Sequence, residues 1–492
     1  MDKLKVIIHP SLVLMYHNLY DNDLKSVRLP FKKVFLLNLL SFCFAVINAE
    51  KDERLTIYKE ANDLKPEAKT FDWPRFNGPF DNATTLETHL STDSGKLKIN
   101  KIWELSKGEG YASPAIADNR LILFHLDSSN EIIEARNPET GKKIWSYKYP
   151  AKYRDRYGYS NGPRASPLIW KGKIYAHGVT AWLTCLDLKT GNLIWKRDLK
   201  SEFQIPDYFF GKGSNPIVNE DSLIVNVGGS NNECVVAFNL LTGETKWIVE
   251  DSWGASYSSP VSAKIQNTEV CLVFTGGESR PPHGGLLIIN ARTGEKLTRF
   301  PWRSLSYESA NAVPPIIISE NRVFLSECYE KGGVTIKLDS TFNAEVDWHK
   351  PDYNIHWMTP IIKHGYMYGV AGRHQRGAEV FCANIENGEL AWRDRLKWNT
   401  QLMNRQIELE FFRGSLLGVR DYFIGLSELG SLALFTMNPK GFKILDAKQL
   451  FFSPGTWTLP ALSKGLLYIM QNEKDRSSGK GARILCYDLR GN

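Results

Sequence analysis

One short pattern recurs along the chain and constrains the fold more than any other feature. It reads Ala/Cys-x-Asp/Asn-x-x-Thr/Asn-Gly-x-x-x-Trp, and the stretch TCLDLKTGNLIWKRDL at 184–199 contains one copy. The copies that end at Trp145, Trp195 and Trp247 are spaced by 50 and 52 residues, and a further copy ends at Trp392. A period near 50 residues indicates a propeller, a solenoid or another repeat array.

The residues inside each period predict short β-strands. Segments such as SPLIWKGKIYAHG and NPIVNEDSLIVNVGG alternate apolar and polar residues, and turn dipeptides such as Lys171-Gly172 separate them. The Asp/Asn-x-x-Thr-Gly segment predicts a tight turn, because glycine accepts positive φ without steric cost. A unit of about four short strands cannot bury its own faces, so neighbouring units must stack, and radial stacking leaves few exposed edges.

Counting the units predicts an all-β, eight-bladed β-propeller over residues 70–492, after a linker at 50–69. The last unit has no tryptophan strand, whereas INKIWELS at 99–106 is a tryptophan strand without a unit before it. We therefore expect this N-terminal strand to close the ring. The innermost strands should begin near Ser113, Ser166, Asn215, Ser259, Val313, Thr359, Arg413 and Leu459. The predicted structural docking tryptophans are Trp103, Trp145, Trp195, Trp247, Trp348 and Trp392.

The N-terminal region has the layout of a secretory signal peptide. Basic residues at 25, 28, 32 and 33 precede an apolar run at 34–47, which ends before Ala49-Glu50. This run is too short to span a bilayer. We interpret 25–49 as the signal peptide and 1–24 as a start-site artefact or an extension. Phe42 before Cys43 disfavours a lipoprotein. The sequence thus predicts a secreted or periplasmic protein without a transmembrane segment in the mature chain.

Charge and cysteine usage narrow the function classes. The net charge is +7, and removal of 1–49 takes away six Lys/Arg and three Asp/Glu and leaves +4, which argues against a nucleic-acid surface. Cys185, Cys382 and Cys486 occupy the position that alanine holds in other repeats, so we expect small buried residues there. The even count of six cysteines beyond residue 49 leaves disulfides open. We expect a monomer.

Several stretches resemble a known family. The docking pattern is similar to that of the quinoprotein alcohol dehydrogenase-like propellers. More closely, five stretches resemble the secreted bacterial PQQ-like (pyrrolo-quinoline quinone repeat) β-propellers, and the BamB-type outer-membrane assembly lipoprotein shares this blade. The stretches are WPRFNGP at 73–79, YSNGPRASP at 159–167, CLDLKTGNLIW at 185–195, VNVGG at 225–229 and SYSSPV at 256–261. The resemblance implies the fold.

The resemblance also raises an enzymatic alternative. In alcohol-oxidising quinoproteins, PQQ and Ca²⁺ lie on the channel axis with an Asp base and an adjacent Cys-Cys disulfide. This chain has no Cys-Cys pair, no Cys-x-x-Cys-His haem motif, no His-Glu-x-x-His motif and no Gly-x-Ser-x-Gly motif. We therefore predict no catalytic residue, no metal and no cofactor. A PQQ-dependent alcohol or sugar dehydrogenase with Ca²⁺, and a BamB-type envelope assembly factor, remain the alternatives.

Chain direction predicts where a ligand would bind. If strands alternate within each blade, the lead-in loops before the inner strands and the loops between second and third strands open on one face, the channel mouth. These loops carry aromatic and basic residues that suit a carbohydrate, a peptide or an anionic polymer. Arg164 could instead be structural, but near the axis it needs a carboxylate partner. The candidate ligand-binding residues are Tyr159, Asn161, Arg164, Tyr257, His283, His356, Trp357, Arg373 and His374. We predict an exported, non-catalytic binding scaffold.

Overall fold

Eight sheets, each built on four antiparallel strands and two of them extended by a fifth strand, form a ring, as predicted, so the fold is a β-propeller. The computed structural model describes residues 52–374, 377–402 and 405–491. The chain divides into units 1–52 and 53–492, and the sheets belong to the second. The predicted signal peptide therefore lies outside the described residues. No helix formed by the described residues is long and apolar enough to cross a membrane.

The blades are numbered along the chain, and each begins with its innermost strand. Blade 1 consists of Ala115–Ala117, Arg120–Asp127, Asn130–Arg136 and Lys143–Pro150. Blade 2 consists of Leu168–Trp170, Lys173–His177, Trp182–Asp187 and Leu193–Asp198. Blade 3 consists of Ile217–Asn219, Ser222–Asn226, Glu233–Asn239 and Thr245–Glu250. Blade 4 consists of Val261–Ile265, Thr268–Thr275, Gly285–Asn290 and Lys296–Pro301.

The later blades repeat this order with additions. Blade 5 consists of Ile316–Ser319, Arg322–Glu327, Gly332–Leu338 and Ala344–Lys350. Blade 6 consists of Ile361–Lys363, Tyr366–Ala371, Glu379–Asn384 and Leu390–Asp394. Blade 7 consists of Ser415–Val419, Tyr422–Leu426, Ser431–Asn438 and Gly441–Gln449, with Thr84–Thr85 parallel to its first strand. A hairpin of Lys397–Leu402 and Arg405–Glu410 precedes it, and two short helices span Ser91–Ser94 and Leu199–Glu202.

Blade 8 combines segments from the two ends of the described chain. Ala461–Ser463, Leu466–Gln471 and Arg483–Asp488 pair in sequence order, and Asn100–Ser106 adds to the last of them in antiparallel register. Trp103 lies opposite Cys486 in this pairing. Leu55–Ile57, within the predicted linker, adds a fifth strand beside Asn100–Ser106.

The recurring tryptophans dock each blade against the next. The Trp145 indole Nε1 donates to the Leu188 carbonyl at 3.1 Å, and its ring covers Gly191 of the next blade's turn. Gly191 has φ +74°, and a Cβ there would come within 2.5 Å of the ring. The same ring-on-glycine contact pairs Trp103 with Gly141, Trp195 with Gly243, Trp247 with Gly294 and Trp348 with Gly388. Five of the six predicted docking tryptophans thus cover a turn glycine of the next blade, whereas the Trp392 indole Nε1 donates to the Asn438 carbonyl at 2.7 Å and its ring contacts Phe442.

Three blades depart from this contact: the Trp392 ring of blade 6 covers no described glycine, and the outer strands of blades 4 and 7 have no tryptophan. Blade 4 has no tryptophan in its outer strand, and the turn of blade 5 at 339–343 has no glycine. Here the Thr298 hydroxyl donates to the Phe342 carbonyl at 2.6 Å. A glycine is thus found where an indole ring must approach the backbone closely.

Polar side chains also join successive blades at the start of their inner strands. The Ser113 amide donates to the Ser166 hydroxyl at 2.9 Å, the Ser166 amide donates to Asn215 Oδ1, and the Asn215 amide donates to the Ser259 hydroxyl at 3.2 Å. These residues recur at the predicted strand starts because each satisfies a backbone amide of the preceding blade.

A segment before blade 1, residues 71–87, crosses the channel. Trp73, fully buried, exchanges two backbone hydrogen bonds with Ile116 of blade 1. Asn77 Oδ1 accepts from the Thr359 hydroxyl of blade 6 at 3.1 Å. The buried Glu87 carboxylate accepts from the amides of Lys464 and Gly465 in blade 8 at 2.7 and 2.8 Å. We call residues 71–87 the channel segment.

The six described cysteines are free and buried. Cys185, Cys382 and Cys486 lie on third strands in the core, as their interchange with alanine predicts. Each pairs in register with a tyrosine of the second strand, namely Tyr175, Tyr368 and Tyr468.

Candidate functional site

A cavity of about 480 Å³ opens at the channel mouth, and we call it the mouth cavity. Lead-in loops and loops between second and third strands form its walls, and Phe76 of the channel segment also lines it. Seven of the nine predicted ligand residues line this cavity: Tyr159, Arg164, Tyr257, His356, Trp357, Arg373 and His374.

An arc of aromatic rings runs around the cavity. Ring centroids are 5.2 Å apart for Trp357 and Trp457, 5.6 Å for Trp457 and Tyr159, 5.9 Å for Tyr159 and Phe210, and 5.4 Å for Phe210 and Tyr257. These five residues, the aromatic arc, come from the lead-in loops of blades 6, 8, 2, 3 and 4. A flat or apolar group that enters the cavity would therefore contact rings held by five different blades.

Arg164 has the carboxylate partner that its position requires. Its Nη2 atom lies 2.8 Å from Asp155 Oδ2 and also donates to the Ser160 carbonyl at 2.8 Å. The other carboxylate oxygen of Asp155 accepts from the amides of Tyr157 and Tyr159. Arg164 thus fixes its own lead-in loop, and with it the ring of Tyr159, rather than joining two blades.

Arg413 holds the other end of the arc. Its guanidinium forms an ion pair with the buried Glu428 and donates to the Arg373 carbonyl at 2.8 Å. It lies over both tryptophan rings of the arc, 4.7 Å from Trp357 and 5.5 Å from Trp457. The Trp457 indole Nε1 donates to Glu428 at 2.9 Å. Blades 6, 7 and 8 are therefore joined behind the rings.

Glu278 fixes the arc between blades 3 and 4. It accepts from the Tyr257 hydroxyl at 2.6 Å and from the Phe209 amide at 2.7 Å. Burial raises the pKa of Glu278, and its two hydrogen-bond donors oppose this effect. Burial and the neighbouring Glu278 raise the pKa of Tyr257 well above its usual range, so this hydroxyl remains a donor.

The remaining basic groups of the mouth cavity have fewer protein partners. Burial, reinforced by Arg413, Arg373 and His374, lowers the pKa of His356 to about 3, so its ring is neutral at ordinary pH. Its Nδ1 atom is buried and has no hydrogen-bond partner among the described residues. The exposed Arg373 guanidinium lies 4.2 Å from the centre of the Tyr329 ring, and no described carboxylate forms an ion pair with it.

Two predicted residues lie outside the lining of the mouth cavity. Asn161 supports the lead-in loop of blade 2, because its Nδ2 donates to Glu109 at 2.9 Å and its Oδ1 accepts from the Asp155 amide at 2.8 Å. His283 lies in the loop between the second and third strands of blade 4, where its amide donates to Ser279 Oγ at 3.0 Å. A ligand role for either residue stays a prediction.

Sequence reasoning missed several residues of the site. Tyr208, Phe209 and Phe210 form an aromatic run outside the strands, directly before Gly211, and such a run is a signal for a functional or packing role. Arg413 and Glu428 are 15 residues apart, and Phe76 precedes the first blade. Nothing in the repeat pattern indicates that Phe76 would reach the mouth cavity.

The lining does not supply what a Ca²⁺-bound quinone would need. Ca²⁺ takes six to eight oxygen ligands, several of them carboxylates. Among the described residues, Glu308 is the one acidic side chain that lines the mouth cavity, and no group of three His, Cys, Asp or Glu could hold a metal ion. The nearby acids Asp155, Glu278 and Glu428 are each bonded to protein donors.

Solved structures with the same fold include quinone-dependent enzymes. The quinohemoprotein alcohol dehydrogenase from Comamonas testosteroni superposes with a TM-score of 0.59 at 14% identity, over 86% of this chain and 81% of that chain. A europium-containing methanol dehydrogenase superposes with a TM-score of 0.57 at 11% identity, over 86% of this chain and 98% of that chain. At these identities, the likeness establishes the fold alone.

Sequence relatives cover two kinds of protein. The outer membrane protein assembly factor BamB of Burkholderia pseudomallei is 24% identical over 224 residues, which are 44% of this chain and 50% of the relative. The dehydrogenase subunit of the quinone alcohol dehydrogenase of Gluconobacter oxydans is 27% identical over 160 residues, or 31% of this chain and 21% of the relative. The chain thus spans half or less of the length of these relatives.

A family profile described as outer membrane protein assembly factor BamB matches residues 128–394, from the end of the second strand of blade 1 to the last strand of blade 6. This match covers more than half of the 492 residues. It agrees with the resemblance to PQQ-like repeat propellers that the docking pattern indicates. The chain belongs to this BamB family of PQQ-like β-propellers.

Proposed function

We propose that this protein is an exported, non-catalytic binding scaffold that holds its ligand in the mouth cavity. The observation that carries the proposal is the aromatic arc, which brings rings from five blades around one cavity of about 480 Å³. Cavities of this size, mostly apolar and with a few placed polar groups, are typical of ligand sites.

Most polar groups around the mouth cavity are bonded to other protein groups, which favours binding over catalysis. Arg164, Arg413 and the Tyr257 hydroxyl are bonded to protein partners and position the rings. A general acid or base must be within hydrogen-bond reach of the reacting group and have a pKa near the working pH. The pKa of His356, lowered to about 3 by burial and by neighbouring basic groups, is far from a neutral working pH, and the Glu308 carboxylate accepts from the Ser306 hydroxyl at 2.7 Å.

Family membership supports a peptide as the ligand class. The related protein of Burkholderia pseudomallei is named an assembly factor of outer membrane proteins, and aromatic side chains of an extended peptide would stack on the arc. A carbohydrate would need free donors and acceptors, of which the arc offers few. The enzymatic alternative, a PQQ-dependent dehydrogenase, has support from the named relatives but not from the donor set of the cavity.

The test is a fluorescence titration of the purified protein with aromatic-rich peptides, with glycans, and with PQQ in the presence and absence of Ca²⁺. Saturable quenching by peptides is expected for the native protein, and isothermal titration calorimetry, which does not depend on the removed fluorophores, should show loss of binding in Trp357→Ala/Trp457→Ala. The control is Trp170→Ala, which removes a half-buried tryptophan at the end of an inner strand, away from the mouth. Quenching by PQQ that requires Ca²⁺ would instead establish the enzymatic alternative, and loss of peptide binding in the control would disprove the site.

A further inference from the structure

A second cavity, of about 270 Å³, lies beside the mouth cavity and shares no lining residue with it. Three loops of the mouth face form its walls. They are the start of the lead-in loop of blade 2 at 152–156, the loop of blade 2 at 179–181 and the connection to blade 3 at 200–212. We call it the side cavity.

The side cavity has an unbalanced charge. Five basic residues line it and only one acid, Asp207, does so. Lys200 Nζ binds Asp207 Oδ1 at 2.6 Å, and this ion pair is exposed. The other four basic residues form no ion pair with a described carboxylate. They are Lys152, Arg154, Arg156 and Lys212.

Lys212 is a buried basic residue of the side cavity, and without a bound anion its positive charge is unfavourable to the folded state. Its residue surface is only 5% exposed, and its ammonium donates to the Val227 carbonyl at 2.6 Å and lies 4.6 Å from the centre of the Tyr208 ring. A buried ammonium without a carboxylate partner is unfavourable because desolvation is not repaid. Burial lowers the pKa of Lys212 to about 7, and the attraction of Glu278, which forms no ion pair with it, offsets only part of this effect. An anion in the cavity would supply the missing negative charge.

Two further groups are placed to contact such an anion. The Thr180 hydroxyl lies in the cavity wall and is buried without a hydrogen-bond partner. Arg156 is held against the wall because its Nη2 atom donates to the Asp207 carbonyl at 3.1 Å. Its remaining guanidinium N–H groups keep their capacity for oxyanion recognition.

We propose that the side cavity is a binding site for a phosphate-bearing ligand. A phosphomonoester carries close to two negative charges and three acceptor oxygens, which match several unpaired cations and a free hydroxyl. A volume of about 270 Å³ admits a phosphate group with a small substituent. Arginine and lysine bind phosphate by charge-assisted hydrogen bonds, so Lys152 and Arg154 contribute directly to affinity. The ligand is either a soluble phosphate compound or the headgroup of an anionic phospholipid.

The test uses the purified protein and inorganic pyrophosphate as the probe in isothermal titration calorimetry, with citrate as a carboxylate of similar charge. The test variant is Lys152→Gln/Arg154→Gln, because both residues are exposed and neither forms an ion pair with a described residue. The matched control is Lys142→Gln/Lys189→Gln, which removes the same charge from exposed Thr-Gly turns on the opposite face. Flotation with vesicles that contain phosphatidic acid, whose headgroup is a phosphomonoester, separates the two ligand sources.

Pyrophosphate is expected to bind in preference to citrate, and the test variant is expected to weaken binding about tenfold or more while the control leaves it unchanged. Vesicle binding with the same dependence on residues 152 and 154 assigns the phosphate to a lipid headgroup, and its absence assigns it to a soluble ligand. No binding at about 5 mM pyrophosphate overturns the proposal. Equal weakening in both double variants also overturns it, because the attraction would then be non-specific.

Discussion

Two glutamates three residues apart on the third strand of blade 1 should respond oppositely to the same substitution. Glu131 is fully buried and faces blade 2, where its Oε1 accepts from the Val179 amide at 2.8 Å. Glu134 is also buried, but it contacts His125, Arg136 and Arg54. Burial raises the pKa of Glu131 to about 7, despite the Val179 amide, the Tyr149 hydroxyl and Lys196. The partners of Glu134 overcome its burial and hold its pKa well below the usual range.

Because the pKa of Glu131 is higher in the folded state than in the unfolded state, the free energy of unfolding depends on pH. Between about pH 4.5 and pH 7 the folded state binds more protons at this site than the unfolded state, so stability falls as the pH rises through this window. A difference of about 2.5 pKa units corresponds to about 3 kcal/mol above pH 7. Glu131→Gln removes this cost, so the free energy of unfolding should rise by up to about 3 kcal/mol at pH 8 and change little below pH 5.

Glu134→Gln has the opposite sign and serves as the matched control. The lowered pKa of Glu134 means that its stabilising contribution is complete above the unfolded pKa, near 4.5, and is lost as the pH falls. Removing its charge deletes the ion pair with the buried Arg136 and the charged acceptor of His125, and it should lower the free energy of unfolding at pH 8. Urea titrations of both variants at about pH 5 and about pH 8 measure these differences. If Glu131→Gln fails to stabilise the protein at the higher pH, the electrostatic reasoning is refuted.

Three further predictions concern the scaffold. Gly191→Ala should lower the melting temperature more than Gly172→Ala, because both glycines have φ near +73° but only Gly191 lies under an indole ring. Equal effects of the two substitutions would disprove the docking role. Trp73→Ala should destabilise the protein by about 3–5 kcal/mol and Phe80→Ala, whose residue is 42% exposed, by far less, as calorimetry would measure. The six described cysteines should react with a thiol reagent only after denaturation, because burial raises the pKa of thiols such as Cys271, and rapid labelling of the native protein would contradict this.

The sequence predicts the features of this fold that repeat. The tryptophan, the turn glycine and the serine or asparagine at the start of inner strands recur because each blade presents the same surface to its neighbour. The mouth cavity follows from the same repetition, since chain direction places every lead-in loop on one face. Repetition could not predict contacts made once, such as those of Phe76 from the channel segment, the ion pair of Arg413 with Glu428, or the separation of His283 from the mouth cavity.

Blade 8 joins strands from both ends of the described chain, and this pairing affects how the protein folds. Asn100 pairs with Asp488, so almost the whole described chain lies between two hydrogen-bonded neighbours. Contacts of such high sequence separation form slowly, because the entropy of loop closure opposes them until the intervening chain is compact. The first six sheets need only local partners and can assemble as synthesis proceeds, whereas the seventh also pairs with Thr84–Thr85 and the eighth waits for the final residues. A chain truncated before Arg483 would therefore keep an open seam with an unpaired strand edge, and such a product is prone to aggregate.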